Sequence, residues 1–253
     1  MLAGDTLWTH NDSGGAPSLF GLDPETGNVL QICPVDGARN RDWEALAADD
    51  HHVYVGDLGN NAGVRDTVEI LILRRPEPGD PEPCFQWEGS IQVIHSKPLE
   101  TNGKGWSNRD CEALLAWEDS LYLFSKDWVH RTTDVYVLPA TPGTYVAEAA
   151  RSYRIDFLVT GADLSETRRE VVLVGYKHYA PVVAVYRFGA TPADLACGGR
   201  ARVYPGKWGR QVEGIAYRND TSCYVSSEKA LHNQSLFLLH LAPAPAPGPA
   251  PLR

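Results

Sequence analysis

The chain has 253 residues, enough for one sizeable domain or two small ones, with 43% hydrophobic and 22% charged residues. That composition pays for a packed core and excludes global disorder. An excess of nine acids (32 Asp and Glu against 23 Lys and Arg) argues against a nucleic-acid or anionic-membrane surface, because both need clustered positive charge. It permits cation binding. With 18 prolines and 23 glycines there is little room for long helices, and the composition leans all-β. No window approaches the ~18–20 consecutive apolar residues of a membrane span.

In chain order, one pattern recurs five times: a strand that ends in polar residues, a short gap, then a second apolar strand. It runs Leu7–Asp12 with Ser18–Leu22, Val53–Asp57 with Val68–Leu73, Leu121–Lys126 with Asp134–Leu138, Val171–Lys177 with Val182–Tyr186, and Cys223–Lys229 with Ser235–Leu239. Aligned on Trp8, Tyr54, Tyr122, Leu173 and Tyr224, the steps are about 46, 68, 51 and 51 residues, close to the ~40–50 residue period of a propeller blade. The long second step carries the Pro-rich run 75–83, an inserted loop. An acid-bearing apolar segment precedes most pairs: Asp42–Leu46, Asp110–Leu114, Thr160–Leu164 and Gln211–Ala216. A fourth segment follows most of them: Val29–Val35, Ser90–His95, Tyr145–Ile155 and Arg200–Tyr204. Four strands per unit, here named a to d, predict an all-β propeller of five blades. The first blade is expected to lack its strand a and the last its strand d. A late start at Met1 or a notched ring would explain the first gap, and a solenoid of hairpins is the alternative architecture. Residues 1–241 form the expected single domain. The Pro/Ala-rich stretch 242–253 reads as a solvated tail.

Strand a lines the channel of a propeller, so the repeat is expected to bring Glu44, Glu112, Asp163 and Glu213 around one axis. Carboxylates that converge repel one another and need cations, protons or basic neighbours. A hard cation such as Ca²⁺, which takes six to eight oxygen ligands, is one answer. The lysines at the end of strand b, Lys126, Lys177 and Lys229, are the other. His10, Asn11, Asp12 and Asp57 hold similar positions in the first two repeats. Asp42, Trp43, Asn60, Asn61, Asp110, Tyr176 and Glu228 complete the expected ligand-binding rim. Glu44, Glu112, Glu213, Lys126 and Lys177 are the candidate catalytic groups, with Glu112–Lys126 as a direct acid–base pair. The competing reading is that these polar residues only stitch neighbouring blades together.

Other segments carry less. Gly-x-Ser-x-Gly, Walker, His-Glu-x-x-His and dinucleotide patterns are all missing, so no nucleotide or redox cofactor is expected. Five cysteines without Cys-x-x-Cys spacing weigh against zinc. They read as buried apolar thiols or as one Cys33–Cys84 bridge. Trp106, Trp128 and Trp208 are either packing between blades or a stacking wall for a sugar or aromatic ligand.

Leu7-Trp8-Thr9-His10-Asn11-Asp12-Ser13-Gly14-Gly15, Asp42-Trp43-Glu44, Tyr54–Asn61, Asp110-Cys111-Glu112-Ala113 and Val212-Glu213-Gly214-Ile215 together resemble a group of exported bacterial β-propeller proteins. The chain is also distantly similar to the calcium-dependent propellers typified by gluconolactonases and paraoxonases, and to esterase-like phytase propellers. In the former, axial Glu, Asn and Asp residues hold a calcium that polarises a lactone or ester carbonyl. Two departures stand out: five blades in place of six, and strand-a positions that are nearly all acids. The resemblance implies an extracytoplasmic, secreted or periplasmic protein, although Met-Leu-Ala-Gly-Asp shows no signal peptide. Three functions follow as expectations: a propeller that binds a divalent cation and a small polar molecule such as a sugar, a Ca²⁺-dependent lactone or ester hydrolase, and a protein-interaction scaffold.

Overall fold

The computed structural model describes residues 1–77, 80, 83–196, 200–203, 211–228 and 233–241. Within them the chain is all-β, and no helix is long and apolar enough to cross a membrane. Five small sheets form a five-bladed propeller. Blade 1 holds β1 (Leu2–Ala3), β2 (Thr6–His10), β3 (Ser18–Leu22) and β4 (Val29–Pro34). Blade 2 holds β5 (Trp43–Ala48), β6 (His52–Asp57), β7 (Thr67–Arg74) and β8 (Gln86–His95). Blade 3 begins with β9 (Cys111–Trp117), β10 (Ser120–Ser125) and β11 (Thr132–Pro139); β12 (Gly143–Ala147) then leaves it, and β13 (Ala149–Arg154) returns as its outer strand. Blade 4 holds β14 (Leu158–Ser165), β15 (Glu170–Lys177), β16 (Ala180–Arg187) and β17 (Arg200–Val203). Blade 5 shows three strands among the described residues, β18 (Val212–Asn219), β19 (Ser222–Ser227) and β20 (Ser235–His240).

Burial follows position in the blade. The inner strand β5 alternates buried and half-buried residues, whereas β15, second from the axis, is buried along almost its whole length. A strand covered on both faces reads as a continuous apolar run, as Val171–Val174 does. The outer β4 is mostly exposed. Five apolar clusters fill the interfaces between successive blades, for example Leu114, Tyr54 and Ile70 between blades 2 and 3 and Phe157, Phe124 and Leu173 between blades 3 and 4. The smallest, between blades 5 and 1, has only Leu7, Ala216 and Tyr224 fully buried.

Two strand assignments differ from the sequence reading. Tyr145–Ile155 is not one outer strand of blade 3. Its first half, β12, pairs in parallel with β8 of blade 2, Tyr145 opposite Val93, and only β13 caps blade 3. An open β8 edge would leave unpaired backbone groups, and one crossing segment covers two blade edges. Blade 1 does have an inner strand, the two-residue β1, with Leu2 opposite Leu7. Met1 extends that pairing, since the Trp8 N–H donates to its carbonyl at 2.8 Å. The ring closes by packing and by an Arg218–Glu25 ion pair at 2.9 Å, not by a strand exchanged between the first and last blades among the described residues.

Cys33 and Cys84 form a disulfide that ties β4 to the segment leading into β8. Cys111 and Cys223 are buried thiols. Trp208, Lys229 and the stretch 242–253 lie outside the described residues.

Candidate functional site

The inner strands share a local irregularity that builds the site. In β9, Ala113 pairs with Phe124 and Cys111 with Ser125, so Glu112 is the extra residue of a bulge. The same skip falls on Glu44 in β5, on Thr160 in β14 and on Glu213 in β18. A bulge leaves one residue unpaired and re-aims its side chain. Here it repeats in blades 2 to 5 and turns three glutamates and a threonine out of register at the same end of the channel. In the second strands of blades 2 to 5, β6, β10, β15 and β19, the residues that follow the bulge partners are Leu58, Lys126, Tyr176 and Glu228.

This register relocates two expected residues. Thr160, not Asp163, is the blade-4 counterpart of the glutamates. Its hydroxyl donates to the Val212 carbonyl. Asp163, three residues further on, accepts the Tyr217 N–H at 2.7 Å and so stitches blade 4 to blade 5. Likewise Tyr176 is the counterpart of Lys126, while Lys177 points to solvent and pairs with Asp156. Blade 4 packs closely against its neighbour: a Cβ at Gly161 would fall 2.7 Å from the Glu213 carbonyl oxygen.

At the centre, Lys126 and Glu112 form a buried ion pair, each under 5% exposed. Burial alone would lower the Lys126 pKa, but Glu112 and Glu213 raise it well above the usual lysine value. Burial pushes the Glu112 carboxyl up against the opposing pull of Lys126. The Lys126 Nζ also lies 4.9 Å from the Trp128 ring centre and 5.3 Å from that of Tyr176, near enough for cation–π attraction. Trp128 stacks on Trp106, and its indole N–H is shared by Asn61 Oδ1 at 2.9 Å and Asp110 Oδ2 at 3.0 Å.

A second cluster faces it from blades 1 and 2. Carboxylate oxygens of Asp12, Asp42 and Glu44 lie within 4.8 Å of one another. Ser13 joins the two loops by donating to Asp42 at 2.6 Å, and Asn40 donates to the carbonyls of Asn11 and Asp12. Gly59 makes room for them: a Cβ there would stand 2.1 Å from Asp42 Oδ2 and 2.6 Å from Glu44 Oε1. Desolvation, reinforced by Asp110, pushes the Glu44 carboxyl up to about 10. It also raises Asp42 and Glu228, and Glu213 to about 7.

Both clusters border one cavity of about 980 Å³, which runs from the axis into the seam between blades 5 and 1. His10, Asn11, Asp12, Trp43, Glu44, Glu112, Glu213 and Glu228 line it. His10 is packed edge-on to Trp43, and burial lowers its pKa. Asp57, Asn60 and Asp110 instead act as stitches. Asp57 pairs with Arg65 at 2.7 Å, Asn60 bonds the Arg65 backbone through both side-chain atoms, and Asp110 accepts the Asn60 N–H. Of these, the Asp110–Asn60 bond links neighbouring blades and the Asp57 and Asn60 contacts with Arg65 hold the blade-2 loop, whereas Asp12, Glu44, Glu112, Glu213 and Glu228 line the cavity. Thr160, Gly59 and Asn40 carry parts of the site that sequence reasoning passed over. The signal for Thr160 was present, as its segment was aligned with the acid-bearing ones.

Fold and site together define a five-bladed β-propeller with an acid-lined channel mouth. No family model and no curated protein matches the chain. Solved structures do. A putative 6-phosphogluconolactonase from Bacteroides uniformis ATCC 8492 is similar over 89% of this chain and 74% of its own, with 13% identity and a TM-score of 0.51. The PQQ-bound aldose sugar dehydrogenase of Streptomyces coelicolor is similar over 94% and 92%, with 11% identity and a TM-score of 0.54. At these identities the likeness is one of fold.

Proposed function

We propose that this propeller binds a divalent cation and a small polar molecule in its axial cavity. The observation that carries the reading is the convergence of Asp12, Asp42 and Glu44 over Gly59, where a side chain of any other residue would collide. Three carboxylates and no nitrogen or sulfur make a hard donor set, which suits Ca²⁺ completed by water and carbonyl oxygens. The ion would offset charge that burial penalises, and it would supply Lewis acidity to a bound oxygen. The chain's own groups then orient the ligand: Glu112 is held by Lys126, and Glu213 and Glu228 stand on the blade-5 side. The Cys33–Cys84 disulfide suits an extracytoplasmic, oxidising compartment, as the resemblance to exported propellers implies. Binding to the native state raises its melting temperature. Chelator-treated protein is expected to melt several degrees higher with millimolar Ca²⁺, and Asp42→Asn and Glu44→Gln to lose that shift. An equal shift in both variants would sink the assignment.

A second reading, a lactone or ester hydrolase, is favoured by Glu213. Its carboxyl sits near neutrality, at about 7, and one of its oxygens is buried without a hydrogen-bond partner. A general base works from the ionised form. Turnover of a lactone and aryl-ester panel would therefore rise as pH passes through about 7 and level off above it. EDTA and Glu213→Gln would each abolish it. A panel left intact by the enzyme at every pH would remove this reading.

A further inference from the structure

Two carboxylate oxygens of the axial cavity have no hydrogen-bond partner among the described residues. Glu112 Oε2 and Glu213 Oε2 are buried and accept no hydrogen bond, although Glu112 is only 3% exposed. A buried acceptor without a donor is costly and marks a missing group. Among the described residues, six carboxylates line the cavity (Asp12, Glu25, Glu44, Glu112, Glu213 and Glu228) and no lysine or arginine does. Of these, Glu25 is paired with Arg218, and Lys126 reaches Glu112 from behind through its other oxygen. Beyond the acids the cavity continues between blades 5 and 1 along Leu7, Leu22, Leu236 and Leu238. Leu22 and Leu236 are only partly covered there, and Leu238 is 42% exposed.

We infer that the cavity takes a primary organic ammonium: its N–H groups donate to Glu112 Oε2 and Glu213 Oε2, and its apolar body lies along the leucine-lined seam. The inference rests on the pocket proposed above and names the class of its small ligand. Both orphan atoms are acceptors, so the ligand must bring donors there. Among the described residues, the five lining carboxylates other than Glu25 stand against only the Lys126 ammonium and the Met1 amino group, and this net negative lining selects a charged donor over a neutral hydroxyl. The leucines select an apolar continuation over a second polar group. The cation trio of Asp12, Asp42 and Glu44 lies on the blade-1 and blade-2 side, so one cavity has room for the ion and the ammonium.

The test is isothermal calorimetry on the full chain with n-butylammonium, n-octylammonium and 1-octanol below their aggregation limits, each with and without Ca²⁺. The expected result is one site for octylammonium. Affinity should rise roughly fourfold for each methylene that enters the seam, and 1-octanol should bind at least tenfold more weakly. Glu213→Gln, which leaves the Lys126–Glu112 pair intact, should weaken octylammonium at least tenfold. Leu236→Asp should flatten the dependence on chain length. Octanol binding as tightly as octylammonium, or Glu213→Gln without effect, would overturn the inference. So would a failure of every amine to bind. The two readings fail separately: Ca²⁺ heat retained without amine heat rejects only the ammonium, and amine heat without Ca²⁺ heat rejects only the cation.

Discussion

Lys126 is the residue on which the centre of the ring depends. It is buried, paired with Glu112 and faced by Trp128 and Tyr176. A buried ion pair gains little over an apolar pair of similar volume, but removing one partner strands a charge and costs about 3–5 kcal/mol. Lys126→Met is therefore expected to destabilise the protein by that order at pH 8, measured by urea unfolding. The cost should shrink at pH 5. Without Lys126, burial leaves the folded Glu112 carboxyl above its unfolded value of about 4.3. Its contribution is then whole below that pH and is lost as pH rises toward the folded value. Lys126→Met with Glu112→Gln should recover most of the loss. A single variant as stable as the parent at pH 8 would mean that the pair is not holding the centre.

At the scale of elements, the repeat was legible because each blade carries the same alternation and the same polar exit from strand b. Blade order, the inner strands of blades 2 to 5 and Glu44, Glu112 and Glu213 could all be read from that pattern. Lys177 stands in the expected set in place of Tyr176 because aligning blade 4 on Leu173 is one residue out of step, and Asp163 stands there because it is the acid of a segment whose bulge residue is Thr160. Val172, opposite Asp163, is the counterpart of Tyr122 opposite Leu115. A slip of one residue turns every side chain to the other face, and a bulge adds a residue that no period reveals. The crossing strand β12 was hidden for another reason: its partner is an edge of a different blade, a relation that local pattern does not encode. The Asp12–Asp42–Glu44 trio joins three segments whose convergence depends on Gly59 and Asn40, and a repeat alignment does not show it. The disulfide acts on this scale as well. Cys33 and Cys84 close a loop spanning 51 residues, which in the chain-entropy picture stabilises by about 4 kcal/mol. Cys33→Ser with Cys84→Ser should lower the urea midpoint accordingly, and an unchanged midpoint would show that the link is not formed in solution.

For the molecule as a whole, the ring is uneven. Four blade interfaces are filled by large apolar clusters, while the fifth, between blades 5 and 1, is thin and opens into the cavity. The excess of nine negative charges is likewise uneven, since Asp12, Glu44, Glu112, Glu213 and Glu228 all line the channel mouth beside that opening. Burial penalises carboxylates gathered in this way, and the cation proposed at the trio over Gly59 would offset that cost. The decisive measurement is calorimetric titration of the chelator-treated protein with Ca²⁺. The account predicts one site per chain, absent in Glu44→Gln and retained in Asp163→Asn. Binding that survives Glu44→Gln, or no binding by the parent protein, would contradict it.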